Sequence, residues 1–219
     1  MLETNKIYLG DCLNIMEKID DNSIDLIVTD PPYRLISGGD SKNRNSPKSG
    51  KLIKNGKLFK HNNINFIDWL PQCYRILKDK THIYVMCNDR NMQDLLNALE
   101  KSKFKLVNIL IWKKNNCTPN KFYMKNCEFI VMARKGGERW INNKGTKQCL
   151  EINNIRNKKH PSQKPIELME ILITNSSNEG EIVLDMFSGY GTTCISAKSL
   201  NRKYIGIEKD EDFYNIIPL

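Results

Sequence analysis

Residues 182–193 have the sequence Ile-Val-Leu-Asp-Met-Phe-Ser-Gly-Tyr-Gly-Thr-Thr, in which an apolar run leads into a turn with two glycines. The pattern from Thr192 to Leu200 predicts a helix, and the next apolar strand, 203–208, ends in Glu208. Glycine lets the backbone pass close to a ligand and adopt dihedral angles closed to other residues. Strand, glycine turn, helix and acid-terminated strand follow in register, which favours a nucleotide-binding unit over a tight turn before a surface glutamate. Glu208 is then placed for ribose hydroxyls.

A second stretch, 24–33, joins another apolar run to Asp30-Pro31-Pro32-Tyr33. The run predicts a buried strand, and the prolines must end its ladder because they lack an N–H donor. A carboxylate, rigid backbone carbonyls and an aromatic ring therefore follow the carboxyl end of a strand, where open α/β sheets bind ligands. Such a ring stacks on a base, and an acid with a carbonyl accepts both hydrogens of an exocyclic amine. Taken alone, the segment fits a plain strand-to-loop stop equally well.

With these segments the chain resembles the β subgroup of amino-group DNA methyltransferases that use S-adenosylmethionine, in which Asp-Pro-Pro-Tyr precedes the glycine segment. Residues 160–165, His-Pro-Ser-Gln-Lys-Pro, resemble the family's His-Pro-Thr-Gln-Lys-Pro signature, and Gly10-Asp11 follows the first strand as a usual cofactor contact. The stretch Trp112-Lys113-Lys114-Asn115-Asn116, followed by Pro119 and by Cys127-Glu128-Phe129, resembles short methyltransferases of phages and restriction–modification systems. The chain departs from the family at Met186 and Tyr190, where proline and serine or alanine are commoner.

The resemblance implies a catalytic segment at 24–33, in which Asp30, Pro31, Pro32 and Tyr33 act on the target base, and a cofactor-binding segment at 160–214. The residues expected to hold the cofactor, S-adenosylmethionine, are Asp11, Cys12, Asp30, His160, Ser162, Gln163, Lys164, Asp185, Phe187, Gly189, Gly191, Thr192, Thr193 and Glu208.

The expected reaction is methyl transfer to the exocyclic N6 amine of adenine in double-stranded DNA. That amine is a poor nucleophile because its lone pair is delocalised into the ring. Hydrogen bonds to the Asp30 carboxylate and the Pro31 carbonyl would free the lone pair and stabilise the developing positive charge. Tyr33 would stack on a base swung out of the duplex. An acid before Pro-Pro-Tyr resembles adenine methylases, whereas serine is usual in those acting on cytosine. The alternatives are a cytosine-N4 or RNA amino-methyltransferase, and an inactive methylase fold kept as a DNA-binding module.

Composition agrees with a polyanionic partner. The 219 residues suffice for one α/β domain spanning 1–219, and the net charge of +9 suggests nucleic acid, with simple solubility as the alternative. Seven cysteines without Cys-x-x-Cys spacing indicate reduced thiols in the cytoplasm. Three histidines in no ligand-spaced cluster predict no metal site, and no apolar run is long enough to span a membrane.

The segment 34–63 is rich in Gly, Ser, Asn and Lys and nearly devoid of large apolar residues. We expect it to be mobile in the free protein, because it buries too little apolar surface to order itself. It leaves the catalytic turn directly, which favours a clamp on DNA phosphates over a solvated loop. The expected contacts are Arg34, Lys42, Arg44, Lys48, Lys51, Lys54, Lys57 and Lys60. A second Lys- and Asn-rich stretch, 136–159, is a further candidate for contacting DNA.

Strand and helix patterns alternate along the rest of the chain, which predicts a single Rossmann-like methyltransferase domain. We expect a mostly parallel, doubly wound sheet with an antiparallel edge strand, formed where 106–112 and 129–133 pair. No long recognition region is present, which implies either a short target site or the help of a homodimer. The likeness to restriction–modification enzymes implies a cognate restriction endonuclease as a partner.

Overall fold

The structure is a computed structural model that describes residues 2–32, 64–119, 122–156, 159 and 163–219. The predictions for Tyr33, for the basic segment 34–63 with all of its proposed DNA contacts, and for His160 and Ser162 lie outside the described residues.

Within these residues the chain forms eight strands and six helices, and the strands join in one sheet. In chain order the elements are β1 (Lys6–Leu9), α1 (Cys12–Met16), β2 (Ile24–Thr29), α2 (Phe66–Ile76), β3 (Leu77–Cys87), α3 (Met92–Lys101), β4 (Lys105–Thr118), β5 (Lys125–Arg134), β6 (Cys149–Glu151), α4 (Ile166–Ser176), β7 (Ile182–Asp185), α5 (Thr192–Ser199), β8 (Lys203–Glu208) and α6 (Glu211–Tyr214).

The sheet has the order β1-β8-β7-β2-β3-β5-β4-β6, and its pairings confirm the predicted fold class. The strands β1, β8, β7, β2 and β3 pair in parallel, and β5 is antiparallel to both of its neighbours, β3 and β4. The antiparallel strand is therefore not at the edge itself. The outermost strand on this side of the sheet is β6, which pairs in parallel with β4. Only three residues long, β6 is too short to leave a periodic signal in the sequence.

Helices cover both faces of the sheet, as a doubly wound fold requires. On one face Trp69 of α2 and Leu95 of α3 pack in a cluster with Ile27 of β2. On the other face Leu172 of α4 and Ala197 of α5 pack in a cluster with Leu26 and its neighbours. All six residues of β2 are buried, since both of its faces lie under helices. None of the described helices is long and apolar enough to cross a membrane.

Several strand boundaries differ from the predicted ones. The strand predicted at 82–87 begins at Leu77, directly after α2, and the hairpin β4–β5 extends well beyond the predicted 106–112 and 129–133. The additional hairpin residues are polar and partly exposed, so the hydrophobic pattern could not reveal them.

The parallel strands place the residues that follow β1, β2, β3, β7 and β8 at one edge of the sheet, which we call the C-edge. Because β5 runs antiparallel to β3, with Cys87 opposite Phe129, the end of β4 and the start of β5 also lie there. The C-edge therefore collects the turn after Thr29, the glycine turn after Asp185 and the turn end of the β4–β5 hairpin, between Thr118 and Lys125.

Candidate functional site

A pocket opens at the C-edge between the ends of β2 and β7, with about 380 Å³ of empty volume counting its open mouth. Of the predicted cofactor residues it brings together Asp30, Gln163, Lys164, Asp185, Phe187, Gly189, Thr192 and Thr193. Residues that were not predicted also line it, namely Thr29, Met86, Met169, Ser188 and Tyr190. The ends of β2, β3, β7 and α4 supply these residues, and only their spatial convergence could identify Met86 and Met169.

Asp185 ends β7 at the base of this pocket and is almost fully buried. Its carboxylate accepts hydrogen bonds from the Thr29 hydroxyl at 2.8 Å and from the Phe187 N–H at 3.1 Å. Burial nevertheless raises the pKa of Asp185 to about 6, because an ion in the interior loses its hydration. A buried acid of this kind is suited to a cationic ligand group.

Glu208 ends β8 and ties the glycine turn to the neighbouring strand. Its carboxylate accepts the N–H of Gly189 at 2.6 Å and the N–H of Asp210 at 2.8 Å. Burial raises the pKa of Glu208 above its ordinary value, while these hydrogen bonds oppose the rise. The structure therefore places this acid against the turn of β7 rather than on the open surface.

Gly191 shows why the turn needs glycine. Its φ of +78° lies in the left-handed region, and it caps the start of α5. A Cβ on Gly191 would lie 2.8 Å from Cγ2 of Ile217, closer than real contacts allow. Both the backbone conformation and the local space thus exclude a side chain.

Asp11 and Cys12 do not line the pocket but lie beside it, next to Glu208. The Asp11 side chain caps α1 by accepting the N–H of Leu13 at 2.9 Å, and Lys209 pairs with it at 2.7 Å. Burial raises the pKa of the Cys12 thiol to about 12, so Cys12 is no nucleophile. These residues flank the acid expected at the ribose.

Asp30 follows β2 at the pocket wall, and Lys164 is its partner. The ammonium of Lys164 donates to the Asp30 carboxylate and lies 3.6 Å from Oε2 of Glu128. Glu128 in turn accepts from Lys114 at 3.0 Å. Burial opposes the charge on Lys164, yet the two carboxylates raise its pKa above the ordinary value. Glu128 and Lys114 were not predicted as site residues, because nothing in their local sequence indicates a partner in the pocket.

The described residues of the stretch 136–159 divide between opposite ends of the sheet. At the end opposite the C-edge, the carbonyl of Arg139 contacts His82, where the pairing of β3 with β5 begins, and the N–H of Asn142 donates to the carbonyl of Asn175. The later part pairs with β4, and the N–H of Asn154 donates to the Asn115 side chain near the turn end of the hairpin. Only this later part runs toward the pocket side.

The pocket fits the cofactor predicted from the sequence. S-adenosylmethionine carries an ammonium and two ribose hydroxyls. The buried acid Asp185 lines the pocket, whereas the buried acid Glu208 does not line it but ends the adjacent strand β8. Of the two glycines in the turn, Gly189 lines the pocket, whereas Gly191 does not line it and packs against Ile217. Among the described residues no group of His, Cys, Asp or Glu could hold a metal ion, and all seven cysteines are free thiols.

An open α/β sheet with such a pocket defines a nucleotide-cofactor enzyme of the methyltransferase class. A family model described as DNA methylase, of the N6 and N4 amino type, matches residues 24–218. The chain belongs to this family. It is an amino DNA methyltransferase of the restriction–modification kind with S-adenosylmethionine as its cofactor, which confirms the predicted class.

Individual proteins support this assignment. The chain is 34% identical to the Type II methyltransferase M2.MboI of Moraxella bovis, over 96% of this chain and 85% of that protein. The crystal structure of the M1.HpyAVI–SAM complex is 25% identical, with a TM-score of 0.73 over 97% of both chains. The cytosine-N4-specific PvuII DNA methyltransferase shares the fold, with a TM-score of 0.73, 20% identity and coverage of 97% of this chain and 84% of that chain.

Proposed function

We propose that this methyltransferase modifies the N6 amine of adenine in double-stranded DNA, with Asp30 as the acceptor that activates the amine. The observation that carries the proposal is that Asp30 and the buried acid Asp185 line the same pocket. An amine held at Asp30 would therefore meet a methyl donor held beside the glycine turn. Positioning two substrates in this way is most of what the reaction needs.

When bound, S-adenosylmethionine supplies a methyl group on a positively charged sulfur, which is open to attack from behind. The chain's part is to make the amine a better nucleophile. Asp30 accepts one N–H of the amine and the backbone carbonyl of Pro31 accepts the other, which localises the lone pair on nitrogen. The negative carboxylate also stabilises the positive charge that develops during transfer. Tyr33, outside the described residues, is proposed to stack on the flipped base.

The cofactor contacts are proposed from the ends of β7 and β8. Asp185 suits the methionine ammonium, because a cation offsets the cost of its buried charge. Glu208 suits the ribose hydroxyls, with Asp11 and Cys12 beside it at the start of α1. The four buried cysteines, Cys12, Cys73, Cys87 and Cys194, take no part, since burial raises the pKa of each thiol.

The DNA face is proposed to lie along the C-edge. The turn end of the β4–β5 hairpin carries Phe122 and Tyr123, which are 87% and 91% exposed, close in sequence to Lys125. Aromatic rings and lysines together suit unstacked bases and phosphates. The clamp proposed for 34–63 comes directly after the catalytic turn at the C-edge in the chain. Within 136–159, the part from 149 onward is better placed to contact DNA than the earlier part.

Further proposals concern the cellular setting. The relatives carry the name Type II methyltransferase, which supports a cognate restriction endonuclease as a functional partner. A DNA substrate and free thiols suit the reducing cytoplasm. We propose that a homodimer reads the target, and the mass of the protein–DNA complex tests this by giving the number of protein copies bound to one DNA.

The test is the identity of the modified base. DNA from a host that expresses the protein is digested to nucleosides and compared with DNA from a host that expresses Asp30→Ala. N6-methyladenine in the first sample alone supports the proposal. N4-methylcytosine in its place would assign the cytosine reaction, and unmodified DNA in both samples would favour a DNA-binding module. Sequencing the modified DNA then gives the target site.

A further inference from the structure

We propose that Glu128 and Lys114, on the β4–β5 hairpin, position the Asp30 carboxylate through Lys164 and so tune its strength as the amine acceptor. The inference rests on the proposed function, since it assigns roles around the acceptor. Four side chains of alternating charge form a row from the pocket to the hairpin, in the order Asp30, Lys164, Glu128 and Lys114. We call this set the charge row.

The charge row joins three parts of the chain that are distant in sequence. Asp30 follows β2, Lys164 precedes α4, and Glu128 and Lys114 lie on paired strands of the hairpin. Glu128 is fixed in register opposite Trp112, and the Lys114 ammonium lies 5.6 Å from the centre of the Trp112 ring. The outer end of the row is therefore held by a strand ladder and a buried ring, which gives Lys164 a defined place.

Burial makes these contacts consequential. The side chains of Lys164 and Lys114 are 9% and 11% exposed, and those of Asp30 and Glu128 are 18% and 30% exposed. The two lysine charges, which are largely removed from water, require acidic partners, and loss of one partner weakens the compensation of its neighbour. The position of each member therefore depends on the next, and the hairpin influences Asp30 without touching the reacting atoms.

The alternation of charge explains why Glu128 matters for the reaction. An ammonium paired with Asp30 alone would draw its electron density away and weaken it as an acceptor. Glu128 shares that ammonium, and Lys114 balances Glu128, so that the row carries no net charge. Asp30 is thereby oriented by a cation without being fully neutralised by it. Glu128 and Lys114 are positioning residues, not catalytic ones.

The test compares steady-state kinetics of the full-length protein on DNA with Glu128→Gln, Lys114→Gln and a control. Glu128→Gln should lower kcat roughly 10-fold to 100-fold, because a small displacement of an acceptor costs that much. The KM for S-adenosylmethionine should stay within twofold. Lys114→Gln, at the outer end of the row, should lower kcat by less, and it keeps the test available if Glu128→Gln fails to fold.

The control is Glu181→Gln, which removes a carboxylate of similar exposure, 23%, that pairs with Arg139 at 3.3 Å at the opposite end of the sheet. It should leave kcat unchanged. An equal loss in Glu181→Gln and Glu128→Gln would mean a general effect on the fold and would overturn the inference. A rise in the KM for S-adenosylmethionine at unchanged kcat would do so too, because the row would then serve the cofactor.

A double-mutant cycle adds a sharper criterion. If Glu128 acts through Lys164, then Glu128→Gln should have no further effect on kcat in a Lys164→Met background. Additive losses would overturn the inference. Failure of this inference is distinguishable from failure of the proposed function. Full activity in Asp30→Ala would contradict the assignment of Asp30 as the acceptor. An inactive Asp30→Ala together with a fully active Glu128→Gln would contradict only the role of the charge row.

Discussion

The carboxylate of Glu208 accepts the backbone N–H of Gly189 at 2.6 Å, so the acid that ends β8 holds the glycine turn that ends β7. Glu208 ends β8, and Gly189 lies in the turn after β7, the adjacent parallel strand, in which Asp185 is opposite Gly206. One residue thus supports the shape of the turn and carries the charge proposed for the ribose. A change at Glu208 is expected to affect both.

Removal of the proposed amine acceptor gives the first prediction. Asp30→Ala should lower kcat by roughly 10²–10³-fold, since it removes a group that stabilises charge in the transition state. Binding of S-adenosylmethionine should change little, because Asp185 and the glycine turn remain. Methyl transfer from labelled cofactor to DNA measures the first effect and titration calorimetry the second. A parental rate in Asp30→Ala would remove Asp30 from the mechanism.

A second prediction concerns Glu208. Glu208→Ala should weaken S-adenosylmethionine binding roughly tenfold or more, because a hydrogen bond to a charged group contributes about 1.5–3 kcal/mol. The matched control is Glu211→Ala, which removes an exposed carboxylate three residues further on, in α6. Calorimetry should show an unchanged affinity in the control. Equal affinities in the two variants would contradict the ribose assignment.

The glycine turn provides a third prediction with an internal comparison. Gly191→Ala combines a left-handed φ of +78° with a Cβ only 2.8 Å from Ile217, whereas Gly180→Ala has a φ of +77° and no atom within 4 Å. Gly180→Ala should cost about 1–2 kcal/mol of unfolding free energy from the backbone alone. Gly191→Ala should cost more and should also weaken cofactor binding. Denaturant unfolding measures the loss of unfolding free energy, and calorimetry measures the affinity for the cofactor. Similar losses of unfolding free energy in the two variants would contradict the prediction, because they would mean that Ile217 moves away from the new Cβ.

Asp185 leads to a prediction about pH. Burial raises the pKa of Asp185 from 3.8 to about 6, so the folded protein holds a proton there over a range in which the unfolded chain has lost it. Unfolding then releases that proton, and the contribution of Asp185 to stability falls as pH rises from about 4 to 6. The size of this effect is about 3 kcal/mol at most. The difference in unfolding free energy between the parent and Asp185→Asn should follow this trend, and a difference independent of pH would contradict it.

Cofactor affinity should show the opposite dependence. The methionine ammonium requires the ionised form of Asp185, so affinity should fall as pH drops below about 6. Calorimetry from pH 7.5 to 5 on parent and Asp185→Asn separates this effect from others. The variant should bind weakly and with little pH dependence.

The basic segment gives the last prediction. Replacing Lys42, Lys48, Lys51 and Lys54 by glutamine should weaken DNA binding at every sequence alike. It should also reduce the slope of log affinity against log salt by roughly 0.9 for each phosphate that is no longer neutralised. The control replaces Lys101, Lys103 and Lys105, three exposed lysines at the opposite end of the sheet. S-adenosylmethionine binding should not change in either variant. Equal salt slopes in the two would make 34–63 a solvated loop.

Much of the fold could be predicted because its signals are local. Apolar runs of strand length ending in Asp30, Asp185 and Glu208 predict parallel strands, and the rules of open α/β sheets place their carboxyl ends together. The observed convergence of Asp30 and Asp185 in one pocket agrees with that expectation. The glycine turn is equally local, since Gly191 adopts the conformation that its residue type suggests.

The sequence by itself therefore determined the mostly parallel sheet, its central strands and the acids at its edge, because periodicity and strand termini are properties of neighbouring residues. Only the tertiary structure decided that Lys164 meets Asp30 across 134 positions of the chain, and that Glu128 joins them. It also decided that β6 adds to the edge of the sheet and that Arg139 lies far from the pocket. Such contacts depend on hairpin register and on packing between distant segments, which no local pattern of residues encodes.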